Sequence, residues 1–478
     1  MENNHTEEQL ERNQIGLIGV IMPGLAQVAP AFNLFFTTAV MAGLAGASVP
    51  LIFLISMVGV AATANSLAQF VGLYPSSGSF LTYIAKSIGP KTSTAVGIIT
   101  ILGYIIAFGG IYIYVGSYIT QNLFGGLHFW GATPIVTILY GVLVAVPVIL
   151  GLKVGVRVTI VLYVFEVVLL LALSIAFLIH GGPQGLSATP FAWPGHSKEV
   201  LLAFSLAILA FGGFEASAPL AEETKNPRKN VAIAVLGTVL VSGIIYVLGS
   251  YALVIAFGTN HIGALAANPN PFHAAAERYI GALAPFVTWI FLTSVTSSYV
   301  AANTQTSRVI FGGARSGLWA KQFGLISRKF KTPWTAVIVF VAPSIAIGVV
   351  SYAFTQPGTA SGFLGTYGIL GVIIMYLMAN VALVVHWFKS RTAGVRSKVV
   401  LQLIVPIIGI LILAIPIYGD LQPGQAAPYN SLPYLTVALI AVGVAYALYL
   451  GKRKPDVMRK APALLEGAED DEQAPIAD

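Results

Sequence analysis

Cysteine is missing from all 478 residues of this chain. A disulfide framework, a thiolate metal centre and a cysteine nucleophile are thereby excluded. Charge is the second scarcity: 9% of the residues are charged, where a soluble domain carries about a quarter. So few charges cannot cover a water-facing surface. With 56% hydrophobic residues and a mean hydropathy of +0.83, the chain reads as an all-α polytopic membrane protein. Enzyme motifs are scarce too. There is no HExxH, no GxSxG and no paired His/Asp set within an apolar stretch, and His128, His180, His261 and His386 fall at span ends or in loops. No catalytic residue, cofactor or metal ion is therefore expected.

Twelve apolar stretches come close to the ~20 residues a bilayer requires. They lie at about 15–38, 47–72, 94–120, 134–150, 156–180, 200–220, 231–257, 284–311, 335–353, 362–388, 399–418 and 432–450. The net charge of +7 does not point to nucleic acid, because the bases are distributed by topology. With the N-terminus inside, 23 of the 25 Lys and Arg fall on the cytoplasmic side, leaving Lys198 and Arg278 outside. That asymmetry follows the positive-inside rule and places both termini in the cytoplasm. The opening "MENNHTEEQLERNQ" has no apolar core or cleavage site, so the first span is expected to direct insertion. The expected division is a cytoplasmic segment 1–14, a membrane domain 15–452 and a cytoplasmic acidic tail 453–478. Within the tail, "APALLEGAEDDEQAPIAD" from Ala461 has the composition of a disordered, solvating end. "PFHAAAERYIGAL" has the pattern of a short amphipathic outer helix.

Two spans carry their own interruptions. The first reads "GLIGVIMPGLAQVAPAFNLFF", with Pro23-Gly24 at its middle and Pro30 further on. The sixth reads "LLAFSLAILAFGGFEASAPL", with Gly212-Gly213 and then Pro219. Each opens a group of five spans, and Gly/Pro breaks at matching places in two halves are the sequence pointer to an inverted-repeat transporter. A broken helix exposes N–H groups that attract anions and C=O groups that attract cations. Glu166 ("VLYVFEVVLLL") and Glu215 are the acids well inside apolar sequence, with no Lys or Arg beside them, which makes both functional candidates. Unmatched acids favour protons or cationic groups as what passes or couples. "LAEETKNPRKN", beneath the second break, fits either a solvated loop with surface ion pairs or an inner gate.

Three stretches resemble a known family. "FGGFEASAPLAEETKNPRKN" is similar to the sixth-helix signature of the amino acid–polyamine–organocation transporter superfamily. "YPSSGSFLTYIAKSIGP" (Tyr74–Pro90) resembles its segment between helices 2 and 3, and "SRVIFGGARSGLWAKQFGLISRKFKTPWTAVIV" (Ser307–Val339) its loop after helix 8. The resemblance implies two inverted five-helix repeats, here about 15–180 and 200–388, followed by helices 11 and 12, with helices 1 and 6 broken and alternating access as the mechanism. It also implies that helix 1 takes the substrate carboxylate and helix 6 its amino group. The small Gly-Ser/Thr-Gly triplet of helix 1 falls on Pro23-Gly24-Leu25, flanked by Ile21 and Ala26, while Phe211, Gly212 and Gly213 match at helix 6. Glu215 would gate. Glu166 falls where many relatives carry Lys or Asn, a position tied to proton coupling in sodium-independent members. The acid common in the family's helix 2 is replaced by Ser66.

The expectation is a secondary transporter of amino acids in the inner (cytoplasmic) membrane, coupled to protons rather than sodium, with polyamines or other organic amines as the alternative substrate. A channel is disfavoured because broken helices in two unlike sequences make no symmetric pore. A nutrient sensor is disfavoured because no signalling domain is visible.

Overall fold

The computed structural model describes residues 10–125, 131–195, 198–268, 270–392, 398–422 and 425–466. His128, the first nine residues and residues 467–478 of the expected tail lie outside the described residues. The fold is all-helical: α1 (Leu17–Gln27), α2 (Pro30–Ala45), α3 (Val49–Leu73), α4 (Phe80–Ser87), α5 (Pro90–Asn122), α6 (Ala132–Ile149), α7 (Leu152–His180) and α8 (Lys198–Leu209) form the first part. A 3₁₀ segment, Phe214–Glu223, leads into α9 (Pro227–Phe257), α10 (Ile262–Ala266), α11 (Pro271–Ile280), α12 (Phe286–Arg315), α13 (Trp334–Ser351) and α14 (Pro357–Thr392). α15 (Val405–Asp420), α16 (Leu432–Arg453) and α17 (Pro455–Glu466) follow.

Among the described residues, ten segments are long and apolar enough to cross a membrane, or eleven if the pair Pro271–Leu283 and Phe286–Arg315, bent by 114°, is one span. Leu17–Leu73 is one of the ten at 57 residues. As a helix it would reach ~85 Å, far beyond a hydrocarbon core of ~30 Å. The helix is interrupted where α2 stops at Gly46, whose φ of +62° a side chain would strain. The outer surface is apolar, with Val58, Leu139, Ile179 and Leu411 all exposed, as a lipid-facing surface requires. This is a multi-pass membrane protein.

Inside the bundle, small residues set the helix spacing. A Cβ on Gly103 of α5 would lie 2.6 Å from the Gly368 carbonyl of α14, and one on Gly348 of α13 would lie 2.5 Å from the Gly109 carbonyl. Without a hydrophobic drive between helices in lipid, such close backbone approach supplies the dispersion energy that holds them together. Ser66, in the place of the family's acid, donates to Asn380 Oδ1 at 2.7 Å, joining α3 to α14.

Two expectations are corrected. Ala461–Glu466 is not a disordered stretch but the second half of α17. Met458, Ala461 and Leu465 recur at helical spacing and are buried, and Thr82 Oγ1 donates to the Leu465 carbonyl at 3.3 Å. The solvated-loop reading of "LAEETKNPRKN" holds for Lys225, Asn226, Arg228 and Lys229, which are exposed, and fails at Glu223, which is buried. "PFHAAAERYIGAL" does contain a helix, α11, with Phe272, Ala275 and Ala276 inward.

Candidate functional site

α1 stays helical through Pro23 and ends at Gln27. The break lies five residues after Pro23, at Val28 and Ala29, where Ala29 takes a left-handed φ of 49°. Pro30 explains the placement. Its ring bars the preceding residue from right-handed helix and it has no N–H to extend α1, yet it suits the first turn of α2. Pro23 forfeits one bond without ending its helix. The residues expected to form the binding loop therefore sit on continuous helix. Ile21 packs toward Gly237, where a Cβ would meet it at 3.0 Å. Gly24 is a packing glycine whose Cβ would lie 2.5 Å from Thr238 Oγ1. Leu25 and Ala26 cluster with Tyr163 and Ala301.

The second break follows α8. Ala210 to Gly213 form a turn, and Gly213 holds φ +102°, conformational space open only to glycine without strain. A Cβ on Gly213 would lie 2.5 Å from Gln27 Cγ, which puts the two breaks side by side. Both amide atoms of Gln27 are buried without a partner. The carbonyl ends of α1 and α8 converge: Tyr246 OH shares its single proton between Val28 O at 3.0 Å and Ala210 O at 2.6 Å. The Asn33 side-chain amide donates to the same two oxygens, at 2.6 and 3.2 Å. Phe211 is buried edge-on against Tyr246, 5.1 Å between ring centres, and Gly212 faces Ile369. An apolar cleft beside the turn is lined by Val60, Thr63, Phe211, Gly212, Tyr376 and Leu413.

Glu166, on α7, reaches the start of α2. Its Oε1 accepts from Ala31 N at 2.9 Å and from Ser294 Oγ at 2.7 Å. Ser294 in turn accepts from Phe32 N at 3.1 Å. The first free N–H groups of a helix attract anions, and here a side chain of the protein occupies them. Glu166 Oε2 is buried without a partner. Glu215 has a different setting. It accepts from Tyr104 OH of α5, from Gln305 Nε2 of α12 at 3.1 Å and from Tyr376 OH of α14 at 2.5 Å. Tyr376 also accepts from Gly213 N at 3.1 Å, so Glu215 is wired to the second break. Both acids are buried, at 0% and 1% exposure.

The profile of the family described as "Amino acid permease" matches residues 19–458. The chain belongs to that family. The permease is 25% identical to the low-affinity putrescine importer PlaP of Escherichia coli (strain K12) over 411 residues, 84% of this chain and 87% of that protein. It is 25% identical over 363 residues to the branched-chain amino acid permease BcaP of Bacillus subtilis (strain 168), covering 72% and 75% of the two chains. With the methylthioribose transporter of the same organism it shares 25% over 440 residues, 87% and 88% of each. The family and these relatives are transporters, and the permease is a transporter rather than an enzyme.

At the end of the 3₁₀ segment the permease carries two ion pairs. Arg308 and Glu223 pair at 2.9 Å with side chains 0% and 3% exposed. Arg315 and Glu222 pair at 2.7 Å, and Glu222 also accepts from Ser77 N at 2.8 Å. A fully buried pair is costly to break on one side only, so Arg308 ties α12 firmly to the end of the 3₁₀ segment. Sequence reasoning missed Asn33, Tyr246, Tyr104, Tyr376 and Arg308. Asn33 in "PAFNLFF" and Arg308 in "TSRVIF" were visible as polar residues in apolar runs. The tyrosines gave no signal, because tyrosine is common in membrane helices.

Proposed function

We propose that the permease carries a small organic amine without a carboxylate group, by alternating access. The observation that carries this reading is Glu166 on Ala31 N. The helix N-terminus at which the family resemblance puts the substrate carboxylate already holds one. An incoming zwitterion would have to displace Glu166 or set its own carboxylate beside it. A cationic amine meets two buried acids with no Lys or Arg hydrogen-bonded to either among the described residues, and the carbonyl ends at Val28 and Ala210 besides. The putrescine importer among the relatives agrees with this class. The amino-acid reading is supported by the branched-chain permease among the relatives.

Twelve spans accommodate the helices, taking Leu17–Leu73 as two crossings and the bent pair as one. The basic residues favour both termini in the cytoplasm, with the permease in the inner membrane, the N-terminal segment 1–14 and the end 453–478 flanking the membrane domain 15–452. Inverted repeats over about 15–180 and 200–388 match the two breaks. Glu166 is the proton-coupling group, favoured over sodium because a carboxylate with a free oxygen can take up the proton itself. Glu215 is the gate, since its three donors come from three different helices.

The test is uptake and binding by purified protein in lipid vesicles, with aliphatic mono- and diamines against the natural amino acids at two pH values. Saturable uptake of amines, lost in Glu166→Gln, supports the reading. Saturable uptake of zwitterions alone overturns the substrate class, and electrical conductance without saturation overturns the carrier mechanism.

A further inference from the structure

The carbonyl ends of the two broken helices carry the negative ends of their dipoles into the centre of the bundle, and they are not vacant. Asn33 sits one turn into α2, beyond the first break. Its amide nitrogen turns back to Val28 O at 2.6 Å, five residues earlier, and crosses to Ala210 O at 3.2 Å, on the other broken helix. Ala29 O is a third acceptor at 3.4 Å. Val28 and Ala210 are 0% and 2% exposed, so water does not supply these donors. Helix C-terminal carbonyls carry the negative end of the dipole and need donors when buried. The amide thus places an N–H₂ group among three carbonyl oxygens belonging to both breaks.

We infer that Asn33 is a resident substitute for the substrate's ammonium group, and that it sets affinity by competing for the carbonyls. The inference rests on the ammonium-at-carbonyls part of the proposed function. An –NH₂ group offers two donors where –NH₃⁺ offers three, and Ala29 O, which accepts Asn33 N at 3.0 Å, keeps a second lone pair for the third. The donors of an ammonium are also charge-assisted and so stronger than those of the amide. Binding swings Asn33 away, and release returns it, so the carbonyls are never left bare inside the membrane protein. Tyr246 shares its proton between Val28 and Ala210 from α9 and holds the two breaks in register while the exchange occurs. A merely structural cap would tie up one helix end. Asn33 spans two helices and leaves itself replaceable by a better donor.

The experiment is titration of the purified full chain in lipid nanodiscs, wild type first, against aliphatic amines, the amino acids and the uncharged alcohol analogue of whichever ligand binds. Asn33→Ala removes the competitor and is expected to bind the ammonium ligand about five- to tenfold more tightly, the equivalent of about one neutral hydrogen bond that no longer has to be broken. The alcohol, which offers one weak donor, should show no such gain. Asn33→Ser, too short to reach Ala210, gives the same comparison if the alanine variant does not fold. Unchanged or weaker affinity in the folded variants overturns the inference and leaves Asn33 a structural cap. Wild-type binding of zwitterions instead of amines overturns the amine reading alone, because an α-ammonium group uses the same carbonyls and the Asn33 comparison is run with that ligand.

Discussion

Gly213→Ala tests the second break in isolation. Two effects add at this position. The backbone φ of +102° lies where an L side chain is rarely found, a conformation that costs on the order of 1–3 kcal/mol. The new Cβ would lie 2.5 Å from Gln27 Cγ and 3.1 Å from both Gln27 Cβ and Cδ, an overpacking worth about 1–3 kcal/mol in its own right. Together they amount to roughly 2–6 kcal/mol. Gly212→Ala is the matched control, since its backbone is ordinary and its Cβ would meet the flexible end of Ile369 at 2.9 Å and the Leu209 carbonyl at 3.1 Å, both milder than the 2.5 Å contact at Gly213. Only a small fraction of the first penalty is expected there. The assay is thermal unfolding of both variants in the same detergent, followed by ligand titration of whatever remains folded. Gly213→Ala should melt well below wild type and bind poorly, because its N–H is also the donor to Tyr376 that joins the turn to Glu215. Equal melting temperatures for the two variants would refute the reasoning, since the strained conformation would then carry no energy.

Three other outcomes are expected. Arg308→Met alone strands Glu223 in a buried site and should destabilise the permease by about 3–5 kcal/mol, whereas Arg308→Met with Glu223→Leu recovers most of it; chemical denaturation of both decides, and equal losses would show that the pair is not buried in solution. Ala461→Asp puts a charge into the buried face of α17 and should release that helix, detected as new protease cleavage near 455–466 with the membrane bundle intact. Tyr376→Phe removes the hydroxyl shared by Glu215 and Gly213 and should cut transport at least tenfold with little change in melting temperature, measured as vesicle uptake beside thermal unfolding; unaltered uptake would remove Glu215's link to the break from any account of gating.

The global architecture was legible because its signals are repetitive: long apolar runs, bases at alternate ends, and Gly or Pro at two related places. The second break was legible to the residue, because Gly213 is required by its φ. The first was placed five residues early. Pro23-Gly24 looked like the stronger breaker, but a single proline inside a packed helix costs one hydrogen bond, while Gly24 answers to Thr238 rather than to the backbone. Pro30 dictates the break by excluding Ala29 from helix. Glu166 and Glu215 were visible as charges in oil. Their partners were not, because Ser294, Tyr104 and Tyr376 lie 128, 111 and 161 residues away from the acids they bind. Local pattern carries no trace of such pairings. α17 was obscured by composition, since an alanine- and proline-rich acidic end masks a short apolar stripe.

One short piece of backbone joins the two breaks mechanically. Ile15 and Thr224 form a parallel bridge, Gln14 N donates to Glu223 O at 2.7 Å and Lys225 N to Ile15 O at 2.8 Å. A turn further in, Ser217 Oγ donates to Val20 O at 2.7 Å. α1 and the 3₁₀ segment are therefore stapled along their length, although nearly two hundred residues of chain separate them. Neither can tilt alone without breaking these backbone bonds. The two therefore form one mechanical unit, with the buried Arg308–Glu223 pair at one end and the Val28 carbonyl at the other.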